Sequence, residues 1–419
     1  MSNSLKLIIL LIPIIGMMSG LFVSFAVTVF FVALLYDLYG KITINFKKYS
    51  LEFYFFTWLL FSTFWSIKFS YSLFTYVKIL TIYFLSIIIW QNIHKLNQVK
   101  VIESRIVAGV IIAIILFWLE FFSGGIISQI FRYVFQAEEN HKFYLFFLDR
   151  GCAFISLLSW IIIAIFIKKQ QYFFTIIFYI MVSLMFFFSD SLTSFLAFIC
   201  GGIVFLIAKY IKFFRNPITV CGILITIFIT MICFANFIDA KKISNNVSFL
   251  PYSAKHRLFI WQYVAEKSSL KLVNGYGIGA SKHFPIKDDE YIYFDEVTYF
   301  HKSDVASLPE SYVKLLPLSL HPHSNILQIL FETGLVGLLL YVMINCKYLM
   351  HMGRNYDSKN KKIVEITAIS YACFANYYFI AMTAFSMWQS WWVCSGVWIV
   401  IMFSWINSNL LYEKNNNNL

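Results

Sequence analysis

Charge is scarce in this sequence. Only 13% of its 419 residues are Asp, Glu, Lys or Arg, while 60% are hydrophobic. An ordinary soluble domain is about a quarter charged, so a water-soluble fold is excluded: too little polar surface exists to cover this much apolar side chain. Cysteines are few and scattered. Cys152, Cys200, Cys221, Cys233, Cys346, Cys373 and Cys394 all lie in or beside apolar runs, with no CxxC pair and no Cys/His zinc spacing. That argues against a disulfide framework and a zinc site. No internal repeat is visible. No A-x-A cleavage site precedes a soluble portion near the N-terminus, so the first apolar segment reads as membrane span and not as a removable signal.

What the chain has in abundance is long apolar runs. They predict about twelve membrane-spanning helices, near 5–18, 20–37, 51–67, 72–91, 105–123, 149–167, 172–188, 191–209, 217–237, 324–346, 363–385 and 390–409. Gly16 and Gly20 mark either a tight turn between the first two or a kink in one long helix. The fold class is therefore an all-α polytopic membrane protein. It divides into an N-terminal transmembrane bundle (1–237), one large loop (238–320) long enough to carry function, C-terminal transmembrane helices (321–409) and a tail (410–419). The Asn-rich end, Asn415 to Asn418, reads as disordered.

The net charge of +12 does not point to nucleic acid, because the basic residues sit in short loops between spans. Lys41, Lys47 and Lys48; Lys95, Lys100 and Arg105; Lys168 and Lys169; Lys209, Lys212 and Arg215; and Lys347, Arg354, Lys359, Lys361 and Lys362 occupy every second connection. The positive-inside rule puts these loops, and with them both termini, in the cytoplasm. Segment 238–320 then lies outside. It mixes both charge signs with aromatics such as Tyr291, Tyr293, Phe294 and Tyr299, a composition that suits a folded cap better than a disordered linker. Trp388, Trp391 and Trp392 cluster where an outer aromatic belt is expected.

The residues with most chemical content follow that outer segment, from His321-Pro322-His323-Ser324 through Gln328 and Glu332 to Gly334 and Gly337. Pro322 suits a first helical turn, which would place His323 at a helix N-terminus. The free N–H groups there favour an anion and disfavour imidazolium, keeping His323 neutral and able to accept a proton. The bland alternative is a helix cap. Ser324, Gln328 and Glu332 recur every fourth residue and stripe one helix face. A carboxylate and an amide inside a span are costly unless they meet partners or water, so they either support a site or pack the bundle. Gly334 and Gly337 permit close helix approach.

The pattern His323-Ser-x-x-Leu-Gln-x-Leu-x-Glu-x-Gly-x-x-Gly resembles the signature of the O-antigen ligase and polymerase superfamily, with Ser324 where Asn is usual. Leu148-Asp149-Arg150-Gly151 resembles the Asn-Arg-Gly opening of a mid-chain span in the ligase branch, with Asp149 in place of Asn. Arg257-Leu-Phe-Ile-Trp261, followed by Gly275-Tyr-Gly277-Ile-Gly279, resembles the family's Arg-x-x-x-Trp and Gly-x-Gly loop. The resemblance covers most of the chain. It implies a glycosyltransferase of the membrane C-type fold in the bacterial inner membrane, acting without metal or other cofactor. Its donor would be a polyprenyl-diphosphate-linked glycan. Its acceptor in the ligase branch would be a glycolipid, lipid A–core, at the periplasmic face, as in lipopolysaccharide biosynthesis.

The residues suit that chemistry. Transfer needs a base near the acceptor hydroxyl and cations on the leaving diphosphate. His323 is the candidate catalytic base. Arg150 and Arg257 are candidates for the donor diphosphate, since guanidinium matches phosphate bidentately; a snorkelling interfacial arginine and a solvated loop charge are the bland alternatives. His321, Gln328 and Glu332 are candidate supporting residues, and Lys255 and His256 extend the basic character. Asp288-Asp289-Glu290 reads as a solvated acidic run, and Gly275, Gly277 and Gly279 as a bent loop lacking the context of a dinucleotide fold. Ser189-Asp190-Ser191 reads as a turn with a place in the site wall. Glu120 is a candidate by the cost of its burial alone. A polymerase of the same superfamily, a protein-glycosylating relative, and a lipid-glycan transporter without covalent chemistry are the competing readings. A transporter would show paired repeats or charges at mid-membrane, whereas here the charged candidates gather at one face.

Overall fold

The computed structural model describes residues 1–96, 98–130, 148–189, 191–247, 250–295, 298–300 and 312–416, with side chains described outside 294–313 and up to 407. Its longer helices are α1 (Asn3–Met18), α2 (Val23–Asp37), α3 (Ser50–Phe64), α4 (Phe69–Asn92), α5 (Val99–Ser123), α6 (Asp149–Lys168), α7 (Tyr172–Phe188), α8 (Leu192–Tyr210), α9 (Pro217–Phe237), α10 (Ala240–Asn246), α11 (Tyr252–Leu270), α12 (Asn325–Met352), α13 (Lys361–Ala381) and α14 (Ser390–Asn416). Among the described residues nine helices are long and apolar enough to cross a membrane, and α1 and α7 are shorter apolar helices. The protein is an all-α polytopic membrane protein. The expected spans each meet a helix, and Gly16 and Gly20 resolve as a tight turn: α1 and α2 are separate helices joined by a 3-10 turn over Gly20–Phe22.

Local chemistry sets many boundaries. Asn216 accepts the Ile218 N–H at 3.0 Å with Pro217 in the first turn of α9, where a missing N–H costs nothing. Asn360 does the same for Lys362 N–H at the start of α13, at 2.9 Å. Gly124, at φ 67°, ends α5 in the left-handed region, a conformation glycine adopts without Cβ strain.

Helix α6 is the axis. Every residue from Gly151 to Ile165 is buried, and the helix packs against α1, α7, α8, α13 and α14. Close approach is built into its first turn: a Cβ on Gly151 would lie 2.1 Å from the Met17 carbonyl oxygen. At one end of the bundle three buried carboxylates each meet a lysine. Glu52 pairs with Lys347, Glu103 with Lys168 and Lys169, and Glu365 with Lys209.

Segment 238–320 is folded and not an extended linker among its described residues. It carries α10, α11 and a three-stranded antiparallel sheet over Ile292–Asp295, Thr298–Phe300 and Tyr312–Leu315, with the first of these strands in the middle. The side chains of Phe294 and Tyr299 lie outside the described residues, as does Asp190. Two expectations are corrected here. Trp391 and Trp392 are 2% and 0% exposed and pack with Phe385 and Tyr377 in the main core, so they are not an interfacial belt; the bundle has enough helices at this point to enclose them. Helix α14 runs to Asn416, into the stretch read as disordered, while 417–419 lie outside the described residues.

Candidate active site

The chain enters α12 through a left-handed residue. His323 has φ 53° and, among the described residues, shares a positive φ with only one other non-glycine, Gln170. Ser324 is the N-cap and Asn325 the first helical residue. Pro322 therefore lies outside the helix and not in its first turn, because the reversal at His323 must be completed before the helix can begin. A left-handed non-glycine residue costs energy and persists where surrounding contacts hold it. Three contacts do so. The His323 backbone N–H donates to His321 Nδ1 at 3.1 Å, His323 Nδ1 lies 2.8 Å from the Ala384 carbonyl, and Trp261 Nε1–H donates to the Pro322 carbonyl at 3.1 Å.

These bonds assign the histidine tautomers. A carbonyl only accepts, so Nδ1 of His323 carries the proton and Nε2 keeps its lone pair. His321 Nδ1 accepts from a backbone N–H, so its proton is on Nε2. The rings stand 4.2 Å apart, centroid to centroid. Both are held neutral: burial, then the neighbouring His323 and Arg257, lower His321 to about 3, and burial, then Arg257, lower His323 to about 4 against the pull of its Ala384 bond. Burial and the nearby Arg257 guanidinium thus keep His323 free of a second proton.

Arg257 is the electrostatic hub. It projects from α11 within range of His321, His323, His256 and Asp149. Asp149 opens α6, accepts a short hydrogen bond from the Ser191 hydroxyl, and lies within range of both Arg150 and Arg257. The Asp149 carboxyl is thus the group common to two arginines that come from different elements. Gly20 sits over this corner: a Cβ there would come 2.5 Å from Arg150 Cβ. Lys255, by contrast, is buried and adds no exposed charge. His256 Nε2–H donates to the Leu316 carbonyl at 2.9 Å.

Below His323 the helix breaks. Gly334 has φ 67° and ψ −168° inside α12, and the loop over 272–277 fills the gap. Tyr276 and Gly277 N–H donate to the Phe331 and Glu332 carbonyls at 2.9 and 2.7 Å; Leu335 and Val336 N–H donate to the Leu272 and Val273 carbonyls at 2.8 and 3.4 Å; Trp58 Nε1–H takes the Thr333 carbonyl at 2.9 Å. Irregular backbone at membrane depth is tolerated where such partners replace the lost helix bonds. Glycine is needed on both sides, since a Cβ on Gly334 would lie 2.2 Å from the Val273 oxygen and one on Gly275 2.6 Å from the Glu332 carbonyl.

The Glu332 side chain locks this junction. It is fully buried. Its Oε2 accepts from Gly279 N–H at 2.5 Å and Trp388 Nε1–H at 2.6 Å, and its Oε1 from Ser281 at 2.6 Å and Gln328 at 3.1 Å. Gln328 also donates to Ser386 at 2.9 Å and accepts Met387 N–H at 3.2 Å. The two residues thus fasten the glycine loop and the 384–388 turn to α12, and that turn carries the carbonyl that orients His323.

Comparison with known proteins gives this arrangement a family. Residues 176–342 match the family described as O-Antigen ligase. Over 94% of its length the chain is 35% identical to a Rickettsia bellii protein named "Putative polysaccharide ligase", 34% to a Rickettsia typhi protein and 33% to a Rickettsia prowazekii protein of the same designation, in each case covering 95% of the relative. The chain belongs to the O-antigen ligase superfamily, in its ligase branch.

Within this member of the O-antigen ligase superfamily, His323, His321 and Arg257 come together, with Arg150 linked to them through Asp149. Gln328 and Glu332 stand apart from that group, in the junction beneath it. Sequence reasoning read Trp388 as interfacial, whereas it is buried and bonded to Glu332; Ala384 and Ser386 carried no signal at all. Asp149 was visible only as a departure from Asn. Glu120 has its partner in Ser128, whose N–H and hydroxyl donate to Oε1 at 2.7 and 3.2 Å, a loop tie remote from His323 in sequence and packing. Glu290 of the acidic run is bonded to Lys267 and Tyr263. Among the described residues no group of three or more His, Cys, Asp and Glu side chains is arranged to hold a metal ion.

Proposed function

We propose that this member of the O-antigen ligase family transfers a polysaccharide from a polyprenyl diphosphate carrier to a sugar hydroxyl of lipid A–core, at the periplasmic face of a bacterial inner membrane, without a metal ion. Both termini face the cytoplasm in this reading, and 238–320 is the periplasmic cap. The observation that carries it is the tautomer of His323. With Nδ1 bonded to Ala384, the unbonded Nε2 lone pair is the base, and Arg257 stands within electrostatic range of it.

In the reaction the acceptor hydroxyl gives its proton to His323 Nε2 while its oxygen bonds to the donor sugar's anomeric carbon. The bond from that carbon to the diphosphate oxygen breaks, and polyprenyl diphosphate leaves as an anion. Arg150 and Arg257 hold the developing charge on the diphosphate. Bound diphosphate also offsets the guanidinium charge that lowers His323, bringing the base nearer the pH at which it works. Asp149 orients the arginines, and His321 supports the backbone of His323. The designation of the relatives as polysaccharide ligases supports the class of substrate.

Deletion of the gene in its host, with glycolipid pools analysed by mass, tests the reading. A ligase ends the pathway, so long lipid-linked glycan should accumulate unattached to lipid A–core. Single repeat units on the core would make the protein a polymerase instead, and unchanged pools would remove the transferase reading altogether.

A further inference from the structure

A second basic cluster lies beside the junction, apart from the arginine–histidine group. It is formed where the loop after Gly279 meets the first turns of α4. The Lys282 ammonium sits 4.8 Å from the centre of the Tyr71 ring, and the His283 ring meets the same tyrosine edge-on at 4.7 Å. Lys68, the residue preceding α4, and Lys282 both act on His283, and Lys282 acts on Lys78.

Three features of this cluster ask for an anion. Lys68, Lys78 and Lys282 form no ion pair among the described residues, unlike the lysines at the opposite end of the bundle, which meet Glu52, Glu103 and Glu365. Glu332 acts on Tyr71, but its oxygens are already taken by four donors. Lys78 lies inside a spanning helix, about 13 Å along it from Phe69 at 1.5 Å per residue. Its ammonium lies 5.9 Å from the centre of the Phe74 ring, one turn nearer the helix start, and within electrostatic range of Lys282, so like charges gather at this edge of the bundle and favour an anion there. Finally, the His283 Nε2 is buried without a hydrogen-bond partner, and the N–H groups opening α4 have no side-chain cap.

We infer that Lys68, Lys78, Lys282 and His283 form a phosphate-binding site for the acidic headgroup of the acceptor glycolipid, separate from the donor diphosphate site at Arg150 and Arg257. The inference rests on the reading of the protein as a transferase with a glycolipid acceptor. The geometry suits that occupant. The site stands at the membrane boundary on the same end of the bundle as His323, so a lipid anchored there keeps its tail in the bilayer. The loop carrying Lys282 and His283 is bolted through Gly279 and Ser281 to Glu332, which fixes the distance from the anchored phosphate to the base. Two phosphate sites, one for each lipid substrate, would orient donor and acceptor before chemistry.

The test is binding, read without turnover. Full-length protein in neutral phosphatidylcholine nanodiscs is titrated with phosphorylated lipid A–core, with the same glycolipid after dephosphorylation, with phosphatidylglycerol, and with polyprenyl diphosphate. Wild type is compared with the Lys68→Ala, Lys282→Ala double variant, whose two side chains are exposed and whose loss should leave the melting temperature unchanged; Lys78→Gln is the second variant. A surface lysine contributes about fivefold in affinity for an anionic lipid. The double variant should therefore bind phosphorylated lipid A–core about 25-fold more weakly, match wild type on the dephosphorylated form, and hold polyprenyl diphosphate within twofold. An unchanged acceptor affinity overturns the inference. So does an equal loss for the donor, which would merge the two sites, and so does phosphatidylglycerol binding as tightly as lipid A–core, which would make the cluster a bulk-lipid contact. Failure to detect transfer by wild type would remove the chemistry at His323 and leave this binding contrast standing.

Discussion

Replacing Glu332 separates a structural carboxylate from a chemical one. Its two oxygens differ in what faces them. Oε2 receives Gly279 N–H and Trp388 Nε1–H, both obligate donors, whereas Oε1 receives the Ser281 hydroxyl and the Gln328 amide. In Glu332→Gln the new NH₂ must occupy the Oε1 side, where Ser281 can turn to accept. Gln328 cannot follow, because flipping its amide would set an NH₂ against the Met387 N–H that it now accepts. One donor–donor conflict remains, at a cost of about 1–3 kcal/mol. Glu332→Ala strands all four donors in a buried site, so the same range gives at least about 4 kcal/mol, a large share of the 5–15 kcal/mol that holds typical folds. Thermal melts of the detergent-solubilised protein should rank wild type above Gln and Gln well above Ala. Transfer by the Gln variant at permissive temperature should stay within about tenfold of wild type, because the carboxylate acts on the glycine loop and the 384–388 turn and not on substrate. A Gln variant that melts like wild type but loses 10²-fold or more in transfer, the loss typical of removing a general acid or base, would refute this and put Glu332 in the reaction.

Other outcomes follow from the same geometry. His323→Asn, which tolerates left-handed backbone, should remain in the membrane and lose about 10²–10⁴ in rate; near-normal turnover in a purified transfer assay would reduce the histidine to a turn residue. Because the base works deprotonated and burial and then Arg257 hold its pKa low, at about 4, the acid limb of the kcat/KM profile should lie below the usual histidine range. Arg257→Ala should weaken donor use and move that limb to higher pH, with Arg257→Lys restoring the position of the limb better than the donor KM, since lysine lacks the planar fork; a limb that stays put would uncouple the two residues. Gly334→Ala should destabilise by more than the roughly 1 kcal/mol of an ordinary helix glycine, because its Cβ would meet the Val273 oxygen at 2.2 Å; melting temperature reads it. Transfer should survive EDTA, and loss restored by one divalent ion would redirect attention to Asp288 and Asp289.

Much of the bundle was legible because a membrane constrains sequence strongly: every spanning segment must be apolar over a fixed length. The histidine stretch was legible for a related reason, since polar residues that recur every fourth position inside an apolar helix are conspicuous. Backbone reversals were not. Nothing in Pro322-His323-Ser324 announces that the histidine turns left-handed, because that state is imposed by Ala384, His321 and Trp261, residues distant in sequence or in role. The same holds for Trp388. An indole beside an apolar run reads equally well as an interfacial anchor and as a buried donor, and only the presence of Glu332 across the gap decides. Asp149 hid in the opposite way, as a single departure from a pattern, until the two arginines were seen to share it.

The break at Gly334 bears on how this protein can be re-engineered. Loops outside a membrane are commonly treated as cassettes to be exchanged between relatives in order to change substrate. Here residues 272–277 stand in for a missing turn of a helix that is completed only later in the chain. A transplanted loop would need to bring its own matching break, glycine for glycine, together with the tryptophan at position 58 that closes the remaining carbonyl. Specificity swaps should therefore cut within 250–270 or 284–318, leaving the glycine stretch and its helix as one inherited piece.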